Sequence, residues 1–284
     1  MSWAHIEQPM TMMITVKAYP TPSSKYTETV CVAGVRLDTT PNQWVRLYPV
    51  PFRMLPESRR FKKYDIVELR AVPAHDGRPE SYKPILESIR IIDHVACGPY
   101  WAERLPILKP LEVSSMCELK RMQATDATSL GFFKPAEVTD FRVVPTSTDW
   151  GDGQQAALGQ ANLFCELKTT LEKIPYEFRY EYRCDDATCP GHDMMIIDWE
   201  TAQLYRHTRG RSEDERRRLM REKWLDQICG PRRDTYFYAG NIASHQRSFV
   251  LLGAVWPRKQ KVRVARSQPA TIFELGQVAD FEIR

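Results

Sequence analysis

The segment YRCDDATCPGHDMMIIDWE, residues 182–200, constrains the fold more than any other part of the chain. It sets Cys184, Cys189 and His192 within nine residues. Thiolates and imidazoles are the ligands that zinc prefers, and ligands this close in sequence converge on one ion only from a tight turn. Pro190 and Gly191 supply that turn. The segment therefore predicts a Cys/His metal knuckle that follows a strand.

The knuckle supplies three ligands, whereas a structural zinc site takes four. Cys229, at the end of a predicted helix, is our first choice for the fourth ligand. Cys165, His207 and His245 are the alternatives. Zinc is favoured over an iron–sulfur cluster because the local set mixes cysteine with histidine and has no run of four cysteines. An interpretation without metal, with two buried cysteines and a loop histidine, stays open.

Two carboxylates, Asp198 and Glu200, follow the knuckle. Paired carboxylates can hold Mg²⁺ near a scissile phosphate, which makes these two residues the candidates for catalysis if the chain is a nuclease. No lysine lies close to them in sequence, and Asp is a preferred residue before the first turn of a helix. We therefore expect Asp198 to cap the next helix. The nucleotide-binding, nucleophile-elbow and zinc-protease motifs are absent from the sequence.

The first half of the sequence is rich in short β-type runs. They are rich in Val, Ile, Tyr and Trp, and polar or proline-containing joints separate them. Strands this short, at this spacing, predict a small barrel or sandwich rather than βαβ units. We expect a barrel-like first half, of the oligonucleotide-binding (OB) or SH3 type, in an α+β protein. The predicted strands are 12–19, 28–37, 43–50, 64–72 and 84–92.

The second half mixes strands and helices. Helical spacing predicts helices at 112–124, 198–208 and 212–229, the last with a capping box formed by Ser212 and Glu215. Further strands are predicted at 129–144, 175–184, 234–241, 248–256 and in the last nine residues. Residues 147–160 are rich in Gly and polar residues, so we place a linker there, between domains 1–146 and 161–284. The sequence shows no internal repeat.

A resemblance to a known family rests on residues 28–55. This stretch has a Cys-x-Ala-Gly strand (Cys31, Ala33 and Gly34) followed by a Trp-Val-Arg strand (Trp44, Val45 and Arg46). It resembles the start of bacterial proteins built of tandem oligonucleotide-binding barrels. The overall layout is also similar to bacterial proteins from mobile-element or defence neighbourhoods. The resemblance implies an OB-like region and nucleic-acid binding, and it assigns no catalytic residue.

Barrels of this kind grip single strands with aromatic faces and with cations that follow the phosphates. We expect Trp44, Arg46 and Tyr48 to share one face of a strand, and a basic groove to continue from it. The alternative is an ordinary half-buried strand with Trp44 in the core. The candidate nucleic-acid-binding residues are Trp44, Arg46, Tyr48, Arg53, Lys62, Lys63 and Arg78.

The composition is compatible with nucleic-acid binding but does not require it. The net charge is only +4, but cationic residues cluster at 58–63, 216–223 and 258–266. Seven scattered cysteines do not suggest a disulfide framework, and no apolar run is long enough to cross a bilayer. A secretory signal is not recognisable at the N-terminus, so we expect a cytoplasmic location.

Three functions remain open from the sequence. The first is a nucleic-acid-binding protein with a structural zinc site and a preference for single strands. The second is a Mg²⁺-dependent hydrolase of nucleic acid or nucleotides, and the third is a protein-interaction subunit of a larger assembly.

Overall fold

The computed structural model describes residues 6–23, 26–156, 158 and 171–260. In this part of the chain the strands form two seven-stranded sheets, one in each half. The first sheet contains β1 (Gln8–Lys17), β2 (Thr21–Ser23), β3 (Thr27–Arg36), β4 (Gln43–Val50), β5 (Asp65–Pro73), β6 (Ser81–Pro84) and β7 (Arg90–His94).

Five strands of the first sheet close into a barrel. Their order is β1-β3-β4-β6-β5, and β5 pairs back to β1. All these pairs are antiparallel except β4 with β6, which is parallel. This confirms the barrel-like first half predicted from the sequence. The predicted strand at 84–92 is replaced by β6, a 3₁₀ turn at Leu86–Ser88 and β7.

Close packing of β1 against β3 explains one residue of the Cys-x-Ala-Gly motif. A Cβ atom on Gly34 would lie 2.2 Å from the backbone oxygen of Met13 on the neighbouring strand. No side chain fits at that distance, so only glycine allows the two strands to approach here.

The second sheet contains the remaining strands and is accompanied by few helices. Its strands are β8 (Glu112–Val113), β9 (Leu130–Phe133), β10 (Glu137–Pro145), β11 (Tyr176–Arg183), β12 (His192–Ile196), β13 (Tyr236–Ile242) and β14 (His245–Val255). Four helices have described bounds, α1 (Leu105–Leu108), α2 (Met116–Asp126), α3 (Trp199–His207) and α4 (Glu213–Arg221), and residues 152–156 are also helical.

The second sheet repeats the strand order of the first. The run β10-β11-β12-β14-β13 matches β1-β3-β4-β6-β5, and its third and fourth strands, β12 and β14, are again parallel. In the first barrel β1 pairs with both neighbours, β3 and β5. In the second sheet β10 pairs with β11, whereas β9, just before it, pairs with β13. Together, β9 and β10 therefore occupy the position that β1 occupies in the first barrel. The two halves share one topology.

The helices of the second half follow local signals. Ser212 accepts a hydrogen bond from the backbone N–H of Glu215 (3.3 Å), as the capping-box pattern predicts, and α4 begins at the next residue. The helix continues through a π-helical turn, Glu222–Gln227. Met220, Trp224 and Ile228 are buried along one side of this continuous helix.

Three hydrophobic clusters fill the interior of the described part of the chain. One lies within the first barrel and one within the second half. The third joins the two halves: it combines Met13, Ala33 and Val35 of the first sheet with Phe132 and Tyr238 of the second. The halves therefore share an apolar interface.

Residues 147–160, for which the sequence predicts a linker between domains, lie between β10 and β11, and these two strands pair in the same sheet. The second sheet already begins at β8, so residues 112–145 belong to the second half. The predicted last strand and Cys165 lie outside the described residues. None of the described helices is both long and apolar enough to span a bilayer.

Candidate metal centre

The knuckle predicted from the sequence forms between β11 and β12. After Cys184 the chain turns through Asp186, whose carboxylate accepts hydrogen bonds from the backbone N–H (3.0 Å) and hydroxyl (2.7 Å) of Thr188. It turns again at Gly191, where φ is +88°. This left-handed conformation suits glycine, and it delivers His192 to the first position of β12 beside Cys189.

A fourth side chain comes from α2. Ser115 caps this helix by accepting a hydrogen bond from the N–H of Glu118 (3.0 Å), which places Cys117 in the first turn. The Arg121 guanidinium, one turn later, pairs with Asp186 of the knuckle at 3.2 Å. These contacts hold Cys117 over the knuckle.

The four side chains converge on one point. The Nε2 atom of His192 lies 3.4 Å from the Sγ atom of Cys117, 3.3 Å from that of Cys184 and 3.4 Å from that of Cys189. All four candidate ligand atoms lie within 4.8 Å of one another. Tetrahedral zinc bonds of normal length would separate sulfur from nitrogen by about 3.5 Å. The group therefore has the dimensions of a metal site.

The acid–base properties of the group also suit a metal. Burial lowers the pKa of His192 to about 4, so its imidazole is neutral and can coordinate at physiological pH. Burial, with the neighbouring thiols, raises the pKa of Cys117 to about 12, and burial also raises that of Cys184. These two thiols do not ionise together unless a cation is shared between them.

Cys189 differs from the other two thiols. Its burial opposes ionisation, but the backbone N–H groups of Cys184 (3.3 Å) and Gly191 (3.4 Å) donate hydrogen bonds to its sulfur. The net effect is that its pKa falls below the ordinary value. Backbone donors aimed at sulfur stabilise a thiolate, which is the form that binds metal.

The fourth side chain of the group is Cys117 and not Cys229, our first choice from the sequence. Cys229 follows the π-helical turn, its Sγ atom donates to the backbone oxygen of Trp224 (3.5 Å), and burial raises its pKa to about 12. The alternatives His207 and His245 contact Gln203 and Ser244 instead. Cys117 lies 75 residues from His192, and no local spacing in the sequence connects them.

Asp198 has the capping role expected from the sequence. Its carboxylate accepts a hydrogen bond from the N–H of Glu200 (3.0 Å) at the start of α3. The Lys63 ammonium, from the first half, lies 2.6 and 2.7 Å from the two oxygens of Asp198 and 3.4 Å from Glu200. The tertiary structure therefore provides the lysine that the local sequence lacks, but as an ion pair between the halves.

This ion pair is buried, with only 1% of the Asp198 side chain exposed. Burial by itself would lower the pKa of Lys63, but the carboxylates of Asp198 and Glu200 raise it above its usual value. Lys63 therefore stays charged and both oxygens of Asp198 are occupied. The arrangement is that of an ion pair at the interface between the halves.

The predicted nucleic-acid-binding residues do not form one exposed face. Arg46 is buried at the interface, where its guanidinium donates to the backbone oxygens of Ser129 (2.9 Å) and Asn241 (3.4 Å). Trp44 is half-buried and packs edge-on against Tyr238, with ring centroids 6.1 Å apart. For Trp44, the structure therefore agrees with the alternative of an ordinary half-buried strand.

The remaining candidates are dispersed. Tyr48 is exposed on β4. The Arg53 guanidinium donates to Glu28 (3.0 Å), and buried Arg78 is paired with Asp76. Lys62 is exposed, next to the interface residue Lys63. The groove expected from these residues is not present as a continuous surface, because Arg46, Lys63 and Arg78 are committed to partners inside the fold.

Several solved structures are similar to the chain at low sequence identity, and two of them illustrate the likeness. One is the tetrameric p202 HIN2, with 8% identity and a TM-score of 0.30, covering 92% of this chain and 96% of that chain. The other is a murine DNA binding protein bound with double-stranded DNA, with 9% identity and a TM-score of 0.30, covering 89% and 97%. A TM-score of 0.30 does not establish a common fold. No curated protein matches the chain.

Two family models match the sequence. Residues 8–110 match "Domain of unknown function (DUF8758)" and residues 112–274 match "Domain of unknown function (DUF8757)". The two matches meet where the chain passes from the first sheet to the second. The second match covers more than half of the sequence, and the chain therefore belongs to the DUF8757 family.

Proposed function

We propose that the protein binds nucleic acid and that a structural zinc ion holds its second half together. The observation that carries the nucleic-acid part is the topology that the two halves share: five strands in the same order, with the same parallel pair. The OB fold is a five-stranded Greek-key barrel, and it recurs among proteins that bind oligonucleotides. Because one fold can host many functions, a direct binding experiment tests the proposal.

The donor set supports zinc as the metal. Three cysteines and one histidine are soft to intermediate ligands, which select zinc rather than Mg²⁺ or Ca²⁺. Four protein ligands close the coordination sphere, and a closed tetrahedral site is structural rather than catalytic. Zinc at this position would join α2 to the β11–β12 hairpin.

The role of the interface supports binding rather than cleavage. Lys63 and the N–H of Glu200 occupy the carboxylate of Asp198, so the acidic pair proposed for a nuclease serves the fold. We therefore expect no cleavage of nucleic acid in the presence of Mg²⁺ or Mn²⁺.

The binding test uses fluorescence anisotropy with labelled 20-mer oligonucleotides, single- and double-stranded, between 50 and 200 mM salt. We expect affinity to fall steeply as salt rises, because each neutralised phosphate releases condensed counterions. Tighter binding to the single strand would identify stacking on aromatic side chains as a main contribution. Absence of binding to both oligonucleotides at 50 mM salt would overturn the proposal.

The zinc test is elemental analysis of the purified protein. We expect one zinc per chain, with Cys117→Ser abolishing it and Cys229→Ser leaving it unchanged. A metal-free, fully folded protein would contradict the structural-zinc part and leave the binding part to its own test.

A further inference from the structure

The two strand faces on which an OB barrel would be expected to bind are not free cationic surfaces. In the first barrel, Arg46 and Trp44 of β4 contact Ser129 and Tyr238 of the second half. In the second half, cations on the outer side of β10 and β11 are paired: Arg142 with Glu181 and Asp193, and Arg179 with Glu177 and Asp193. A phosphate-binding surface has to be sought elsewhere.

One such surface lies beyond the ends of β13 and β14. Arg233 and Arg258 form an antiparallel bridge, and the N–H of Lys259 donates to the backbone oxygen of Arg232 (2.9 Å). This pairing brings together two cationic residues at 232–233 and two at 258–259, which are 26 residues further along the sequence. We call Arg232, Arg233, Arg258 and Lys259 the 232–259 surface.

Acidic residues in the described part of the chain do not neutralise this surface. Arg232, Arg258 and Lys259 are exposed, and among the described residues none of the three has a carboxylate within 4.0 Å. The nearest acid in sequence, Asp234, is engaged elsewhere: it pairs with Lys134 and accepts a hydrogen bond from the Tyr236 hydroxyl (3.0 Å).

The base of the surface is well anchored. The guanidinium of Arg233 donates to the backbone oxygens of Gln227 (3.1 Å) and Trp256 (3.4 Å). The Trp256 ring packs against Trp101 at 5.4 Å between centroids. The exposed cations therefore project from a rigid part of the fold, which lowers the entropy lost when they bind a ligand.

Like charges opposite each other on paired strands repel, and a bound anion would relieve that repulsion. We infer that the 232–259 surface binds the phosphate backbone of nucleic acid, with Arg232, Arg258 and Lys259 as the contacting residues. The inference rests on the proposed function and assigns the surface that carries it out.

The other basic clusters are mostly committed within the fold. On α4 and beside it, Arg211 pairs with Glu215, Arg217 with Glu213 and Arg218 with Glu222. In the 58–63 cluster, Arg60 donates to the backbone oxygens of Leu55 and Arg53, and Lys63 pairs with Asp198. The part of the 258–266 cluster after Gln260 lies outside the described residues.

The test compares two triple variants of the full chain that remove the same charge. The first is Arg232→Gln, Arg258→Gln and Lys259→Gln. The control is Arg209→Gln, Arg211→Gln and Arg218→Gln, whose arginines are exposed and paired with acids. Folding of each variant is checked by circular dichroism and thermal unfolding before binding is measured.

We expect the first variant to bind at least about ten-fold more weakly than wild type at 100 mM salt. The slope of log K against log salt should fall by about 2.7 for duplex or about 2.1 for single strands, which is the loss of three phosphate contacts. The control should keep a slope close to that of wild type.

Three outcomes separate the two proposals. Wild type that binds neither oligonucleotide defeats the proposed function itself. Wild type that binds, with equal losses in both variants, shows a general charge effect and overturns the assigned surface. The assigned surface is also overturned if the first variant binds like wild type. In that case a double variant in the 58–63 cluster, Arg59→Gln with Lys62→Gln, should lower the slope instead.

Discussion

Cys117 and His192 are 75 residues apart in sequence, yet the Sγ atom of one lies 3.4 Å from the Nε2 atom of the other. The contact joins the first turn of α2 to the start of β12. With Cys184 and Cys189 it gives a group with the donor types and dimensions of a four-ligand metal site.

Removal of the proposed zinc ion should destabilise the second half. We expect Cys117→Ala, or treatment with a strong chelator, to lower the melting temperature by at least roughly 5–10 °C, because binding of a structural ion contributes to the free energy of folding and each kcal/mol is worth about 2–4 °C in a chain of this size. Cys229→Ala is the matched control, since that thiol lies outside the group. Equal melting temperatures for wild type and Cys117→Ala, with zinc retained in both, would rule out Cys117 as a ligand.

Lys63 and Asp198, the ion pair between the halves, should contribute to stability in a strongly non-additive way. Lys63→Met leaves the buried carboxylate of Asp198 without its partner, and we expect a loss of about 3–5 kcal/mol in the free energy of unfolding. Asp198→Asn alone removes the charge and keeps the capping oxygen. In urea unfolding of the single and double variants, we expect a coupling energy above about 1 kcal/mol. Additive effects would mean that the two side chains do not interact in solution.

Lys17 gives a prediction about pH. Its ammonium lies 4.0 Å from the centroid of the Phe52 ring and 4.7 Å from that of Trp199, and burial lowers its pKa to about 8. The folded state therefore releases this proton more readily than the unfolded state, whose lysine titrates near pH 10.5. The charge destabilises the fold fully below pH 8, and this cost disappears as pH rises from 8 to 10.5.

Lys17→Met should consequently stabilise the protein at pH 7. We expect a gain of about 1–2 kcal/mol, smaller than burial alone would give because contact of the cation with the rings is lost. The difference from wild type should shrink toward zero by pH 10.5, measured by urea unfolding at each pH. A gain that stays constant with pH would show that packing, not charge, is responsible.

Arg46 separates an interface role from a binding role. Arg46→Met leaves the backbone oxygens of Ser129 and Asn241 without this donor, and we expect a loss of about 1–3 kcal/mol in stability. Its affinity for oligonucleotides should equal that of wild type where the variant is folded. Tyr48→Ala, at an exposed position on the same strand, should change stability by less than about 0.5 kcal/mol. If folded Arg46→Met binds oligonucleotides more weakly than wild type, Arg46 contributes to nucleic-acid binding after all.

The local elements could be predicted from the sequence. Enrichment in Val, Tyr and Trp predicted β4 at its observed bounds, alternating aromatic residues predicted β11 within one residue, and the Ser212–Glu215 pattern located the start of α4. The turn chemistry between Cys184 and His192 gave the knuckle. Each of these depends on residues close together in the chain, where periodicity and capping act directly.

Folding establishes which distant residues meet. It brought Cys117 rather than Cys229 to the knuckle, turned Arg46 into the interface and set Lys63 on Asp198. The two halves also have the same strand order, although the sequence shows no repeat. Pairing of strands and packing of the halves depend on long-range contacts that leave no fixed spacing in the chain, and so these features could not be read from the sequence.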